Sequence, residues 1–285
     1  MPDHTNQPLT IAYLGPPGTF TEQAASLCVP AGREAELTPY PSITASAEAA
    51  AAGRADLAVL PFENSLAGAV GETHDLIIHQ LDSLAICDEI VIPIEHCLIA
   101  APDADTSRVD AIYSHPQALG QCQRYLQRRF PDARTEATLS TSQAVARAVE
   151  LGNHTLAIAP RRAAALHGAV ILEAGIEDDH RNATRFVVLA DHDHDPTGDD
   201  RSTILFSTTN RPGALLEALQ CFAQAGINLT RIESRPSRER LGTYLFIVDC
   251  DGHRTDPPLV GALEQVAEVV ERLRIVGSYP KAPRI

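Results

Sequence analysis

The chain has 285 residues, 44% hydrophobic and 21% charged, which predicts a globular protein of two domains or of one large and one small domain. Its formal net charge is −14 and Lys281 is the single lysine, so no basic stripe exists that could bind nucleic acid. Residues 1–5 lack the features of a secretory signal and no apolar run approaches the roughly 18 residues that span a bilayer, so we expect a cytoplasmic protein with no membrane partner.

Residues 8–190 alternate short apolar strands with helices, a pattern typical of an α/β domain with mostly parallel strands. The predicted strands are 10–14, 57–61, 85–94, 111–114, 156–159 and 185–190. The predicted helices are 21–28, 43–52, 73–80, 118–130, 141–151 and 163–166. Ligands of such folds bind beyond the carboxyl ends of the strands, so the candidate site loops are 15–19, 62–65 and 115–117.

A hydroxyl and a guanidinium stand side by side where the last of these strands begins, at Thr184 and Arg185. A rigid scaffold can hold a catalytic donor beside an anion-binding group at such a position. The alternative interpretation is a turn residue beside a solvated charge. For Arg185, a fork that binds a carboxylate and an ion pair with the acidic loop 177–179 both stay open.

Residues 191–201 are polar, contain Pro196 and Gly198, and predict a linker. The residues after it indicate strands at 203–207, 227–232, 244–248 and 274–278, a helix that opens at 212–214, and a second helix that begins near 257. The order strand, helix, strand, strand, helix, strand over residues 202–279 predicts a ferredoxin-like βαββαβ sandwich.

The spacing of potential ligands predicts no metal site. The six cysteines contain no C-x-x-C pair and are expected to be small buried hydrophobes in a reducing compartment. The alternating His and Asp of the linker lie in a flexible segment, which does not fix ligand geometry. The loop 15–19 is not a Walker loop because no lysine follows it, but its backbone N–H groups suit a carboxylate.

Together, the loop motifs resemble those of prephenate dehydratases over nearly the whole chain. They are Ala12-Tyr13-Leu14-Gly15-Pro16-Pro17-Gly18-Thr19-Phe20, Leu60-Pro61-Phe62-Glu63-Asn64-Ser65, Ser114-His115-Pro116-Gln117, Ser140-Thr141-Ser142 and Asn182-Ala183-Thr184-Arg185-Phe186. Residues 212–215 and 232–236 resemble the ACT domain of the same enzymes. The chain begins almost at the first dehydratase strand, so no chorismate mutase domain is expected.

The resemblance implies a catalytic domain at 8–190 with two α/β subdomains of periplasmic-binding-protein topology and a cleft between them. One subdomain comprises residues 8–100 with 175–190, and the other comprises 101–174. The chain is expected to cross near 99–102 and to return near 171–176, which places Thr184 in the first subdomain, facing the cleft. Phe62 stands where the family more usually has Ile, an exchange expected to reshape the cleft wall slightly.

The implied reaction removes carbon dioxide and water from the prephenate dianion to give phenylpyruvate, with no cofactor and no metal. Thr184 is expected to donate a hydrogen bond to the departing hydroxyl. The expected catalytic residues are Thr184, Arg185, Asn64, Ser114 and Gln121. The expected substrate-binding residues are Gly18, Thr19, Phe20, Glu63, Ser65, Ser140, Thr141 and Phe186. Within this set Glu63 is expected to orient Asn64, because a carboxylate beside a dianion would repel it.

The resemblance also implies feedback by L-phenylalanine, bound at the ACT domain of a homodimer or homotetramer that pairs through these domains. The expected effector-binding residues are Asn210, Pro212, Gly213, Ala214, Leu215, Asn228, Glu233 and Ser234. Two other functions stay open from the sequence. One is arogenate dehydratase, whose substrate carries an amino group in place of the keto group, and the other is a non-catalytic amino-acid sensor.

Overall fold

Two α/β subdomains and one βαββαβ unit make up the protein, which we describe from a computed structural model covering residues 8–238 and 243–283. The prediction that residues 1–5 are not part of a secretory signal concerns residues outside these ranges. Residues 8–100 form β1 (Leu9–Leu14), α1 (Phe20–Leu27), β2 (Ala35–Tyr40), α2 (Ile43–Ala51), β3 (Leu57–Asn64), β4 (Gly68–Ala69), α3 (Gly71–His79), β5 (Ala85–Pro93) and β6 (Cys97–Ala100). Residues 101–190 form β7 (Ala111–Ser114), α4 (Pro116–Gln121), α5 (Gln123–Arg129), β8 (Arg134–Ala137), α6 (Thr141–Leu151), β9 (Thr155–Ala159), α7 (Arg161–Leu166), β10 (Val170–Ala174) and β11 (Ala183–Ala190).

Each subdomain of this N-terminal domain has its own sheet. The strand order is β2-β1-β3-β11-β5 in the first sheet, with β4 beside β3, and β10-β6-β9-β7-β8 in the second. This confirms the two-subdomain architecture. The predicted crossing near residues 99–102 was wrong, because β6 already pairs with β9 and β10 of the second sheet. The chain crosses between β5 and β6 and returns between β10 and β11.

The sheets are mixed, whereas the sequence predicted mostly parallel strands. Strands β1, β2 and β3 are parallel, as are β7, β8 and β9. The strands next to the crossings run against their neighbours: β11 is antiparallel to β3 and β5, and β6 is antiparallel to β9 and β10. The chain therefore reverses direction where it passes between the subdomains.

The sequence missed the strands β2, β4, β6, β8 and β10. Strands β2, β8 and β10 lie at sheet edges and keep much of their surface exposed, so they lack a continuous apolar run. The predicted helix 118–130 is divided at Cys122 into α4 and α5. Weak apolar patterning explains the missed edge strands, whereas β6 is buried along its whole length.

The C-terminal domain has the predicted βαββαβ order: β12 (Asp200–Ser207), α8 (Ala214–Gln224), β13 (Leu229–Pro236), β14 (Tyr244–Asp251), α9 (Pro257–Val269) and β15 (Arg272–Pro280). Its sheet has the order β13-β14-β12-β15, and the central strands β12 and β14 are buried on both faces. Ile204, Phe206 and Val248 pack against residues of α8 and α9. Leu205, Ile247 and Tyr279 join a core with residues of α2, α3 and β3. The two domains therefore share one hydrophobic core.

All six cysteines have free thiols, as the sequence predicted, and four of them are buried. Within the described ranges, no helix is long and apolar enough to cross a bilayer. Those same residues contain no group of three or more His, Cys, Asp or Glu side chains placed to hold a metal ion.

Candidate active site

A cavity of about 570 Å³ lies between the two subdomains and receives residues from both. This volume suits a small organic ligand. The first subdomain contributes Leu14, Gly15, Thr19, Phe20, Thr21, Ile43, Pro61, Asn64, Val70, Glu72, Thr184 and Phe186. Ile94 and His96 lie where the chain crosses, and the second subdomain contributes His115, Gln117, Ala118, Gln121, Leu139, Ser140 and Thr141. We call this cavity the cleft.

Several helices begin at the cleft. The helices α1, α2, α3 and α6 and the short α4 all begin among its lining residues. Their first N–H groups have no acceptor within the helix and carry partial positive charge. Among the described lining residues there is no Arg or Lys side chain, and Glu72 is the single carboxylate. Backbone groups therefore supply the positive potential that a carboxylate ligand requires.

The Thr184 hydroxyl is held in an orientation suited to donation. The NH2 group of Asn64 lies 2.9 Å from Thr184 Oγ1, 2.7 Å from Asn182 Oδ1 and 3.1 Å from the Ala183 carbonyl, and toward each of these oxygens it can only donate. The Asn64 carboxamide is itself fixed, because its Oδ1 accepts from the backbone N–H groups of Leu66 and Ala67 at 3.1 and 2.9 Å. Since Thr184 Oγ1 already accepts a hydrogen bond, its own proton is available to an acceptor in the cleft.

The structure brings together most of the residues named from the sequence. Thr184, Asn64, Gln121, Thr19, Phe20, Ser140, Thr141 and Phe186 all line the cleft. Thr19 and Ser140 also cap α1 and α6, accepting from the backbone N–H groups of Glu22 and Gln143. Arg185, Ser114, Gly18, Glu63 and Ser65 do not line it.

Arg185 lies on the opposite side of β11 from Thr184, which corrects the expectation that it binds a substrate carboxylate. Its guanidinium is buried and bonds to Asp249 Oδ2 at 2.5 Å and Glu89 Oε2 at 3.3 Å. Successive side chains on a strand point to opposite faces, so Thr184 and Arg185 cannot both face the cleft. The alternative prediction, an ion pair between Arg185 and the acidic loop 177–179, was also wrong. The partners of Arg185 are Glu89 on β5 and Asp249 in the C-terminal domain.

Glu63 and Phe62 also lie on the side of the C-terminal domain. Strand β3 is bulged, since Arg185 pairs with Glu63 and Phe186 with Pro61. The extra residue, Phe62, is buried beneath the guanidinium groups of Arg185 and Arg231, 4.6 and 5.0 Å from its ring centre. Phe62 therefore packs in the domain interface and not in the cleft wall. Glu63 lies near Arg185 and Arg231 and does not orient Asn64.

The remaining three residues have structural partners. The Gly18 N–H donates to Glu22 Oε2 at 2.6 Å, so the carboxylate that it binds belongs to the protein. A Cβ at Gly18 would lie 2.7 Å from Ser142 Oγ, and this close approach joins the two subdomains. Ser114 Oγ donates to the carbonyl of Ile158 at 2.6 Å. Ser65 Oγ accepts from the Ala183 N–H at 3.0 Å and holds the loop before Thr184.

A Glu22–Arg162 ion pair bridges the subdomains beside Gly18. Arg162 Nε lies 2.7 Å from Glu22 Oε2. The hydrogen bond from Arg162 lowers the pKa of Glu22 below its ordinary value, although partial burial acts in the opposite direction. Glu22 is therefore ionised at neutral pH, and the pair holds the two subdomains together next to the cleft.

His96 is the main lining residue that sequence reasoning missed. It is 2% exposed, and its Nε2 lies 2.8 Å from Gln121 Oε1. Burial lowers the pKa of His96, so the ring is neutral at neutral pH. A signal was present in the sequence, because a polar pair, Glu95 and His96, interrupts the apolar run directly after β5. The rule that site residues follow strand ends would have found it.

The expected effector-binding residues lie at two places in the C-terminal domain. Residues 210–213 precede α8, and Gly213 is its N-cap with φ of +86°. Ala214 is buried at the first turn of this helix. Glu233 and Ser234 lie within the edge strand β13, and Asn228, just before it, donates to Asp251 Oδ2 at 2.9 Å.

The sequence matches the prephenate dehydratase family over residues 11–194 and the ACT domain over residues 202–268. It is 40% identical to a bifunctional chorismate mutase/prephenate dehydratase of Stutzerimonas stutzeri, with 97% of this chain and 74% of that protein covered. The fold is similar to a prephenate dehydratase from Arthrobacter aurescens in complex with L-Phe, at a TM-score of 0.88 and 34% identity, covering 97% of this chain and 92% of that one. The fold is also similar to GqqA, described as a quorum quenching acylase. The TM-score is 0.86 and the identity 32%, with 96% of this chain and 98% of that one covered. The chain belongs to the prephenate dehydratase family and carries the C-terminal ACT domain of that family.

Proposed function

We propose that the chain converts prephenate to phenylpyruvate in the biosynthesis of L-phenylalanine, with Thr184 as the hydrogen-bond donor to the departing hydroxyl. The observation that carries this proposal is the bond from Asn64 Nδ2 to Thr184 Oγ1, which leaves the Thr184 proton to be donated into the cleft. A threonine hydroxyl is too weak an acid to be ionised at neutral pH, so it acts by donation as charge develops in the transition state.

The reaction needs little beyond positioning and one such donor. The bond between the ring carbon and its hydroxyl breaks and the oxygen takes the electron pair. The bond to the ring carboxylate breaks as well, releasing carbon dioxide, and its electrons make the ring aromatic. The hydrogen bond from Thr184 strengthens as negative charge grows on the departing oxygen, and solvent supplies the proton that completes water. This assistance contributes roughly 3–5 kcal/mol to transition-state stabilisation.

The dianion is bound by neutral groups in this proposal. The N-termini of α1 and α6 lie on opposite sides of the cleft and can each receive a carboxylate. Gln121 and Thr141 add side-chain donors from the second subdomain. Arg185 has no direct part in binding, because its guanidinium is bonded to carboxylates in the domain interface.

Alanine and serine at position 184 test this role. Thr184→Ala is expected to lower turnover of prephenate by at least about a hundredfold with little change in fold, and Thr184→Ser is expected to retain much more activity. Thr155→Ala is a matched control, since that hydroxyl bonds backbone carbonyls of the second subdomain away from the cleft. Phenylpyruvate formation is measured spectrophotometrically, and near wild-type turnover by Thr184→Ala would show that Thr184 is not the donor.

The same assay separates the proposal from its alternatives. Arogenate carries an ammonium group in place of the keto group, so parallel kinetics on both compounds determine the preferred substrate. A non-catalytic sensor would turn over neither compound, and it would have no use for the Thr184 hydroxyl held by Asn64.

We also propose that L-phenylalanine binds the ACT domain as an allosteric effector and that two chains pair through these domains. The L-Phe complex of the Arthrobacter aurescens relative supports the ligand. The loop before α8 offers helix N–H groups for an amino-acid carboxylate. The edge strand β13 has an open side that a second chain can cover.

A cytoplasmic compartment is part of this proposal, supported by the six free thiols.

A further inference from the structure

The imidazole of His96 lies between the two subdomains at the point where the chain crosses. Its ring contacts Phe20, the first residue of α1, edge to face at 5.6 Å between ring centres. On the second subdomain, its Nε2 lies 2.8 Å from Oε1 of Gln121, the last residue of α4. All three residues line the cleft.

Residues 176–178, where the chain returns to the first subdomain, hold the backbones of His96 and Gln121 in place. The backbone N–H of His96 donates to Glu177 Oε2 at 2.8 Å, and its carbonyl accepts from the Ile176 N–H at 3.1 Å. The Gln121 carbonyl accepts from the Asp178 N–H at 2.7 Å. Both backbones are therefore anchored to residues 176–178, and the contact between the two side chains does not depend on a mobile loop.

The hydrogen-bond partners determine which ring nitrogen of His96 carries the proton. Within the described residues, Nδ1 is buried and has no partner. A proton on Nδ1 would be a buried donor without an acceptor, which is unfavourable. The neutral ring therefore carries its proton on Nε2 and donates it to Gln121 Oε1. With its oxygen engaged, Gln121 presents its NH2 group as the donor to the cleft.

We propose that His96 is a positioning residue for this reaction: its Nε2–H bond to Gln121 Oε1 fixes the Gln121 carboxamide with its NH2 group ready to bind an oxygen of the substrate. Without this bond the carboxamide can rotate and present its oxygen to an anionic ligand, which is repulsive. His96 acts through Gln121 and exchanges no proton with the substrate, since its single ring proton is committed to that bond.

Because this role rests on the proposed dehydratase function, wild-type turnover of prephenate is established first. A double-mutant cycle then compares His96→Ala, Gln121→Ala and the double variant. We expect His96→Ala to lower kcat/KM about 10- to 100-fold, and the double variant to fall no more than about threefold below Gln121→Ala alone. His96→Gln, whose amide N–H can replace Nε2–H, is expected to recover most of the activity. Single losses that multiply in the double variant would overturn the proposal.

A control and an independent readout complete the experiment. His253 is equally buried in the C-terminal domain, and His253→Ala combined with Gln121→Ala is expected to show effects that multiply. Nitrogen NMR of the imidazole reports the tautomer in the absence of substrate. A ring proton on Nε2 that persists from pH 6 to 8 supports the assignment, whereas a proton on Nδ1 contradicts it. If the wild type does not turn over prephenate, the proposed function fails while the NMR result still tests the His96–Gln121 bond.

Discussion

At the scale of single residues, the site depends on which face of a strand each side chain occupies. Thr184 faces the cleft and Arg185 faces the C-terminal domain, so two neighbours in one motif have separate roles. The bulge at Phe62 allows Pro61 and Asn64, three residues apart on β3, to reach the same face. The direction of the bond between Asn64 and Thr184 then decides whether the hydroxyl can donate.

A variant that reverses the hydrogen bond between Asn64 and Thr184 is the sharpest test of which residue donates. Asn64→Asp keeps the shape of the side chain but replaces its NH2 group with an acceptor, so the Thr184 proton is expected to turn toward Asp and away from the substrate. We expect kcat to fall about as far as in Thr184→Ala. Stopped-time assays with prephenate measure this, with the exposed Asn153→Asp as control. Retention of wild-type kcat would contradict the assigned direction.

Arg185 is expected to affect stability more than substrate binding. Arg185→Met removes the ion-pair partner of the buried Asp249, which costs about 3–5 kcal/mol of the free energy of unfolding for a pair of this kind, whereas Glu89 keeps its ion pair with Arg201. The KM for prephenate of the folded variant is expected to stay near that of the wild type. Chemical denaturation and kinetics measure both quantities. Arg181→Met, which removes an exposed arginine, is the control and should change neither. A large rise in KM at wild-type stability would restore the substrate role.

At the scale of elements, α3 connects the cleft to the ACT domain. Its N-terminal end supplies Val70 and Glu72 to the cleft lining. Farther along, Asp75 pairs with Arg235 at 2.7 Å and with Arg238 at 2.6 Å, all within the described residues. Arg235 lies on β13, the strand that carries the proposed effector residues Glu233 and Ser234. The Asp75–Arg235 ion pair thus joins α3 directly to β13.

The start of α8 is the element that tests effector binding. Gly213 has φ of +86°, where a β-branched residue is strained, and its lack of a side chain leaves room for a ligand near the helix N-terminus. Gly213→Val is expected to abolish L-phenylalanine binding and feedback and to leave basal turnover largely intact. Calorimetry measures binding. Gly226→Val is a strain-matched control at the other end of the helix, with φ of +71°, and should still bind. Undiminished binding by Gly213→Val would place the effector elsewhere.

At the scale of the whole molecule, the two domains are joined by a shared core and by buried charge. Asp249 is buried in β14, yet its pKa is lowered, because Arg185 and Arg231 outweigh the effect of burial. Arg231 NH2 also lies 2.9 Å from His74 Nε2, and His74 Nδ1 lies 3.0 Å from the Val70 carbonyl. His74 is therefore a neutral ring that donates to Val70 and accepts from Arg231 across the interface.

This arrangement predicts a loss of stability in mild acid. Burial, with the charge of Arg231 acting in the same direction, lowers the pKa of His74 to about 3. The unfolded chain binds a proton on this ring below its ordinary pKa of about 6.5, whereas the folded protein does not. Stability is therefore lost as pH falls from about 6.5 toward 3, by about 2 kcal/mol between pH 7 and pH 5.

The variant His74→Gln removes this titration and keeps an acceptor for Arg231. The difference in free energy of unfolding between pH 7 and pH 5 is expected to shrink by about 2 kcal/mol in the variant. Urea denaturation at both pH values measures it. An unchanged difference would mean that His74 does not couple protonation to folding.

The sequence by itself determined the sandwich order of the C-terminal domain, the α/β class of the N-terminal domain and eight of the residues that line the cleft. The fold features follow from local chemistry, because apolar periodicity fixes helices and central strands, whereas the set of cleft residues came from the resemblance to the family together with the rule that polar residues follow strand ends. The separation of Thr184 from Arg185 came only with the structure, because β11 begins at Ala183 and includes both residues.

Only the tertiary structure decided what lies on each side of those strands. Arg185 and Phe62 face the C-terminal domain because its sheet packs against the first subdomain, a contact between residues distant in sequence. The Ser114 hydroxyl bonds to the neighbouring strand β9 within the second sheet, and the pairing of β6 with β9 sets where the chain crosses. The edge strands and the His96–Gln121 bond likewise arise from long-range pairing. Local periodicity specifies which residues share one face of a strand or helix. The packing of the whole chain determines which element lies against that face.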